Sequence, residues 1–254
     1  MAGADCRNSV ARIIVPSSLG QKALRQLRTE LEAALADTSV RVLLLTGRIE
    51  GFCSGMDLSE ISVESTRETS PAWLSATYEF VEVLRLIHDA EPVTVALVEG
   101  PALGGGVGLL AACDLVLATE AARFSLPELV LGLVPAMILP ILAERLGLHQ
   151  AKRWAITQAT WQAGEAQSAG LVDQLVEAVR IEATIKRTLK NLGRLHPRGV
   201  VALKQYARRI QGMSTVSAMV EGQTLLSNLL GQTEVRAEVV AFRDYGILPG
   251  QTES

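Results

Sequence analysis

Apolar positions along the chain follow two spacings. Short runs at residues 10–15 (V-A-R-I-I-V), 40–46 (V-R-V-L-L-L-T), 93–97 (V-T-V-A-L) and 115–119 (L-V-L-A-T) have the length and β-branched content of strands. The run at 40–46 is nearly continuous, the pattern of a strand covered on both faces in a parallel sheet. Elsewhere apolar residues recur three and four apart. Leu24, Leu27, Leu31 and Leu35 do so in a helix expected over 19–36, with Ser17-Ser18 placed to cap it after Pro16 ends the first strand. Residues 72–90 are expected to form a long amphipathic helix that buries Trp73, Tyr78, Val81, Leu84 and Ile87 before Pro92 breaks it. Residues 63–71, rich in Ser, Thr and Glu, read as a mobile surface loop. Downstream, 138–145, 149–157 and 162–169 are helical, with Gly147 and Gly170 as C-caps, and 171–175 is a short strand. Residues 181–245 read as helices broken around His196-Pro197 and Gly212. The pattern is an α/β core followed by a helical C-terminal region, divided as 1–195 and 196–254.

Composition narrows the function classes. The 254 residues are 48% hydrophobic but only 4% aromatic, so the core is packed mainly with Leu, Val, Ala and Ile. A net charge of -3 lacks the basic excess of a nucleic-acid binder. Three widely spaced cysteines, Cys6, Cys53 and Cys113, offer neither a disulfide framework nor a zinc pattern and suit a reducing compartment. The opening M-A-G-A-D-C-R-N lacks an apolar signal-peptide core, and no apolar run approaches the roughly 20 residues of a membrane span. The expectation is a soluble cytoplasmic protein.

Candidate chemistry concentrates where strands end. Residues 98–114 (V-E-G-P-A-L-G-G-G-V-G-L-L-A-A-C-D) lead from a strand through Gly104, Gly105 and Gly106 into a short helix, a junction that exposes backbone N–H groups. It fits G-x-G-x-x-A from Gly106 to Ala111. A dinucleotide fingerprint, however, follows its strand at once and is followed by an acid about 20 residues on, and neither holds here. No P-loop pattern is present. A second loop, Phe52-Cys53-Ser54-Gly55-Met56-Asp57-Leu58, also follows a buried strand and should emerge on the same edge of a parallel sheet. Two such loops can supply a pair of N–H donors to one oxygen, as for an enolate or tetrahedral oxyanion. Cys53 and Ser54 are candidate nucleophiles without a G-x-S-x-G elbow, and His88, His149 and His196 stand apart without partner spacing. Glu128 in F-S-L-P-E-L admits two readings: an acid/base group, or the second half of a capping box begun by Ser125. Asp114 and Asp57 read as structural carboxylates.

Taken together, V-L-L-L-T-G, F-C-S-G-M-D-L, G-P-A-L-G-G-G-V-G-L-L-A-A-C-D-L-V-L-A-T, F-S-L-P-E-L-V-L-G-L-V-P and the later A-x-x-A-G-L-V-D resemble the crotonase (enoyl-CoA hydratase/isomerase) superfamily, from about residue 40 to 175. The resemblance implies a spiral of ββα units and a helical C-terminal region that builds trimers or dimers of trimers. It implies an oxyanion hole for a thioester carbonyl made by the N–H groups of Met56 and Gly105, and an acid/base role for Glu128. Ser54, Asp57, Gly104, Gly108, Leu133 and Ala136 would contact the substrate. Hydratases of this family carry a further glutamate where this chain has Gly108, and a glycine-rich turn where it has Ala136-Met137-Ile138-Leu139-Pro140. These departures resemble the dehydratases of polyketide β-branching cassettes, which convert 3-hydroxy-3-methylglutaryl-acyl carrier protein to the 3-methylglutaconyl thioester.

The expected reaction is therefore dehydration through an enolate-like state, with Glu128 as sole acid/base group and Glu99 or Asp57 as fallback partners. The alternatives are a decarboxylase, isomerase or general hydratase of the same fold, and a catalytically silent assembly partner. No cofactor is implied beyond the phosphopantetheine of acyl carrier protein or coenzyme A that carries the substrate. Lys186, Arg187, Lys190, Arg194, Arg198, Lys204, Arg208 and Arg209 form a basic set that can dock an acidic carrier.

Overall fold

The apolar runs become neighbours in one parallel sheet. The computed structural model describes residues 9–48, 51–60 and 71–246. In chain order its elements are β1 (Val10–Ile14), α1 (Gln21–Ala36), β2 (Val42–Thr46), α2 (Pro71–His88), β3 (Val93–Val98), β4 (Pro101–Leu103), α3 (Gly105–Ala111), β5 (Leu115–Thr119) and β6 (Arg123–Ser125). Next come α4 (Leu139–Leu146), α5 (Leu148–Thr157), β7 (Trp161–Gln162), α6 (Ala163–Ala169) and β8 (Gln174–Val176). The chain continues with α7 (Ile181–Leu192), α8 (Pro197–Arg209), α9 (Thr215–Gly231) and α10 (Thr233–Tyr245). The main sheet has the order β1-β2-β3-β5-β8, all parallel. Side chains alternate across it. Leu43 and Leu45 of β2, with Ala96 and Val98 of β3, face the core filled by α1 and α2, while Val42, Leu44, Val93, Val95 and Leu97 face Ile185 of α7. Burial on both faces is what the continuous run at 40–46 predicts.

A second layer repeats the order of the first. β4, which directly follows β3, pairs in parallel with β6, which directly follows β5, and β7 closes this small sheet antiparallel to β6. The loop after β2 joins it, because Cys53 bridges Ala102 of β4, and Leu19, just after β1, bridges Met56. Each turn of chain therefore places a long strand in the main sheet and a short extended piece beside it. This is the expected spiral. β4 was not legible as a strand, since Pro101-Ala102-Leu103 is short and has one buried position flanked by exposed or half-buried ones.

Several local expectations are corrected. Ser17-Ser18 do not cap α1; the N-cap is Gly20, without a side-chain bond. The backbone here is committed to the neighbouring loop: Leu19 N–H donates to the Gly55 carbonyl (2.9 Å), and the Ser17 carbonyl accepts from the Ser54 N–H (2.8 Å). On α2 the buried face is Ala76, Phe80, Val83, Leu84 and Ile87, while Tyr78 and Val81 are exposed. Glu79 rotates the helix toward α1, where Arg28 Nη1 lies 2.9 Å from its Oε2 and Arg25 Nε 3.3 Å from its Oε1. The strand expected over 171–175 is Gln174–Val176 instead. Leu171 and Val172 are buried in the turn after Gly170, and the Asp173 carboxylate accepts the Val116 N–H at 2.6 Å. Trp161 and Gln162 pair with β6 before α6 begins, and the Trp161 ring stacks on Trp154 at 3.9 Å. The loop expected over 63–71 lies outside the described residues except for Pro71, which opens α2. No helix among the described residues is long and apolar enough to cross a membrane.

The C-terminal helices are tied to the sheet by polar contacts. Asp114, at the α3–β5 corner, accepts the Thr94 N–H (2.8 Å) and hydroxyl (2.9 Å) and pairs with Lys204 Nζ of α8 (2.7 Å). Arg208 reaches Asp89 at 3.0 Å and the His88 carbonyl at 2.9 Å. Asp114→Ala would strand the Thr94 N–H and leave the Lys204 ammonium only the Pro92 carbonyl at 3.2 Å, so it should lower unfolding free energy by about 2–3 kcal/mol in a urea titration. A variant with an unshifted midpoint would show that this corner holds nothing.

Candidate active site

Two loops meet beside the main sheet because each lacks side chains where the other passes. Phe52 and Cys53 run along β4, their N–H groups donating to the Pro101 carbonyl at 2.8 and 3.3 Å while the Leu103 N–H donates to the Cys53 carbonyl at 2.9 Å. A Cβ on Gly106 would collide with the Cys53 carbonyl and stand 2.8 Å from Cys53 Cβ. Gly55 has φ +89°, and a Cβ there would lie 2.9 Å from the Leu103 oxygen and 3.3 Å from the Gly105 nitrogen. Glycine is therefore required at position 55 by both backbone conformation and space. Gly105 opens α3 after Gly104, whose φ is +47°. The N–H groups of Met56 and Gly105 donate to no backbone carbonyl among the described residues. Two unused donors on touching loops are an arrangement able to hold one developing oxyanion.

Glu128 stands beside them. It opens a short 3-10 turn, Glu128–Leu131, directly after β6. The capping-box reading fails: no side-chain cap is made there, and Ser125 is a strand residue whose carbonyl accepts the Gly104 N–H at 2.9 Å. A Cβ on Gly104 would lie 2.9 Å from Glu128 Oε1, so the carboxyl lies against the first turn of α3. Its Oε2 is buried and has no hydrogen-bond partner. Burial pushes its pKa above the ordinary 4.5, with its own backbone N–H opposing the shift. A buried carboxyl oxygen without a partner is costly for stability alone, which makes Glu128, beside the unused N–H donors, the candidate reacting group.

The remaining candidates fall into place around this centre. Gly108 lies one turn along α3, its N–H donating to the Gly104 carbonyl at 3.2 Å. Ser54 uses its hydroxyl on the Ser17 carbonyl at 2.7 Å, and Cys53 is buried with its thiol pushed up to about 11, so neither is an available nucleophile. The Asp57 carboxylate accepts the Ser59 N–H (3.0 Å) and hydroxyl (2.6 Å), which hold it below the usual range; it is a turn residue. Leu133 and Ala136 are exposed in the segment that follows Glu128. Glu99 does not join the site: it lines a cleft of about 1250 Å³ with Arg12 and Lys186 on the α7 side of the sheet. His88 sits between Asp89 (3.0 Å) and Glu144 (2.9 Å), and His196 faces Glu238 at 3.6 Å, both away from Glu128. Three residues were missed as parts of the site. Leu19 Cδ1 and Phe80 Cζ would lie 3.0 and 3.2 Å from a Cβ on Gly105, and Ile138 Cβ 3.0 Å from one on Gly108. Ile138 carried a signal, as part of the segment that replaces a glycine-rich turn; Leu19 read only as the start of a helix, and Phe80 was not singled out.

Comparison with known proteins identifies the family and the fold. The family model described as enoyl-CoA hydratase/isomerase matches residues 10–245. The 2,3-dehydroadipyl-CoA hydratase of Escherichia coli is 32% identical over 231 residues, 89% of this chain and 86% of that protein. The bacillaene synthase dehydratase PksH of Bacillus subtilis is 31% identical over 169 residues, 66% of this chain and 64% of that protein. Among solved structures, Pseudomonas aeruginosa AtuE superposes with a TM-score of 0.85 at 30% identity, covering 95% of both chains.

The raised pKa of Glu128 has a sign that can be tested. A carboxyl whose folded pKa lies above its unfolded value favours folding while protonated, and that contribution fades as pH rises through the folded pKa. Glu128→Gln removes the penalty of ionisation. Calorimetric melting should find the variant equal to the parent below about pH 4.5 and more stable at about pH 7. A variant less stable at neutral pH would mean that the carboxylate is structurally satisfied.

Proposed function

The chain belongs to the enoyl-CoA hydratase/isomerase family and has the crotonase fold, and on that basis we propose that it is a lyase that dehydrates 3-hydroxyacyl thioesters. The observation that carries this reading is the half-buried Glu128 carboxyl, whose buried Oε2 has no hydrogen-bond partner, beside the unused N–H groups of Met56 and Gly105. In the proposed mechanism the thioester oxygen accepts hydrogen bonds from those two N–H groups, so negative charge that develops on removal of the α-proton is stabilised. The ionised Glu128 takes that proton. The same carboxyl, now protonated, passes it to the hydroxyl leaving the 3-carbon. The C–O bond breaks, the double bond forms, water departs and Glu128 is ionised again. A pKa raised by burial suits a group that must first accept and then donate a proton.

The finer reading is 3-hydroxy-3-methylglutaryl-acyl carrier protein as substrate and the 3-methylglutaconyl thioester as product. It is supported by similarity to a protein named as a bacillaene synthase dehydratase and by Gly108, which leaves Glu128 without a carboxylate one helical turn away. Carrier docking has a smaller basis than the sequence suggests. Arg198 pairs with Glu234, Lys204 with Asp114, Arg208 with Asp89 and Arg209 with Glu221. Lys186, Arg187, Lys190 and Arg194, all exposed, are the positions left to meet an acidic partner. Self-assembly through the C-terminal helices, as a homotrimer or a hexamer, fits the exposed Val216, Met219, Val220 and Leu226 of α9 and Phe242 and Tyr245 of α10.

Mass spectrometry of the carrier-bound product tests the reaction. The wild-type protein should remove water from the hydroxyglutaryl thioester, and Glu128→Gln should slow that step by about 10²–10⁴-fold. Loss of carbon dioxide would assign decarboxylation instead, and an unchanged mass would leave an assembly role. Gly55→Ala, which disturbs the loop carrying the Met56 N–H, should cost about 10²-fold in kcat.

A further inference from the structure

Glu128 and a second side chain both lie against the first turn of α3. Gly104, the N-cap at φ +47°, accepts the Gly108 N–H on its carbonyl at 3.2 Å, so the two glycines stand one helical turn apart. Glu128 Oε1 covers Gly104, and Ile138 covers Gly108: a Cβ at position 108 would collide with Ile138 Cγ2 and stand 3.0 Å from Ile138 Cβ. Phe80 Cζ closes the same spot from α2, 3.5 Å from that Cβ. Gly108 has no positive φ, so space rather than backbone conformation calls for glycine there. Ile138 is 2% exposed and Phe80 fully buried, and nothing polar is among the atoms nearest to a Cβ at 108. The acid is therefore followed one turn along α3, about 5 Å on, by a wall of methyl and ring carbon.

We propose that Ile138, seated on Gly108, is a specificity-determining residue that receives an apolar substituent on the 3-carbon of the substrate. The inference rests on the dehydratase reading. A single carboxyl that takes the 2-proton and protonates the 3-hydroxyl must face the bond between those carbons. The next surface along α3 then meets what else the 3-carbon carries. A methyl or methylene there packs on Ile138, whereas a hydrogen leaves the wall unfilled. The substrate class selected is a 3-hydroxyacyl thioester whose hydroxyl carbon is fully substituted.

The test compares 3-hydroxy-3-methylacyl and linear 3-hydroxyacyl pantetheine thioesters of equal chain length on wild type, Ile138→Val and Ile138→Ala. The ratio of kcat/KM for branched over linear substrate should fall about tenfold in Ile138→Ala and by less in Ile138→Val, with KM carrying much of the change. A second pair checks the seat itself. Gly108→Ala should lower Tm and activity together, and Gly108→Ala with Ile138→Ala should recover Tm. An unchanged ratio in folded, active Ile138 variants overturns the inference, as does a Gly108→Ala protein with wild-type Tm. Wild type that dehydrates neither substrate overturns the dehydratase reading instead, a result separable from the first two.

Discussion

The close approach of two backbones governs this molecule. The loop after β2 passes the β4–α3 corner at a separation that leaves no room for a Cβ at Gly55 or Gly106. Three hydrogen bonds between Phe52-Cys53 and Pro101–Leu103 hold it there. Everything proposed for the site depends on that contact, because it brings the Met56 and Gly105 N–H groups from separate turns of the chain to one place. A substitution that widened the gap would leave both donors present and useless as a pair, since oxyanion stabilisation depends on donor positions set in advance of the reaction.

The same region departs from what stability alone would select. Glu128 keeps a buried oxygen without a partner, while other carboxylates near the sheet are satisfied: Asp114 by Thr94 and Lys204, Asp173 by Val116 and Arg145. Those two sit at turns and fasten the C-terminal half to the core. Glu79 Oε2, also buried and without a hydrogen-bond partner, is held by the Arg28 ion pair, so Glu128 is left as the candidate acid on the strength of its partners rather than of residue type. Local rules are broken at the site and kept around it.

The helical layer α8–α10 has a different character. Val200 of α8 packs on the apolar face of the sheet, and Lys204 and Arg208 add polar contacts to Asp114 and to the end of α2, while much of the layer's apolar surface faces outward. A helix that leaves Val216, Met219 and Val220 exposed is incomplete as a folding unit in water, which is why self-association is part of the functional proposal. Arg198, Lys204, Arg208 and Arg209, which look free in the sequence, are drawn into ion pairs, and charge runs cannot reveal such use because the acidic partners come from other segments.

Hydrophobic period located β1, β2, β3 and β5, most of the helices and the two-sided burial of 42–45, because the apolar pattern of one element depends on neighbours within a few residues. Motif residues located the glycine junction and Glu128 as candidate chemistry, and the family resemblance gave Glu128 its expected role. Hydrophobic spacing misjudged the α2 face at Tyr78 and Val81, which are as apolar as Ala76 and Val83; the packing of α2 on α1, with its Glu79–Arg28 pair, is what separates them. Ser125-x-x-Glu128 likewise has the form of a capping box, and only the pairing of Ser125 within β6 releases the glutamate from it. The meeting of Gly55 with Gly105, and of Gly108 with Ile138, joins segments whose spacing in sequence carries no signal. Contacts of that kind are set by how successive turns of the spiral stack, and only the tertiary structure decides them.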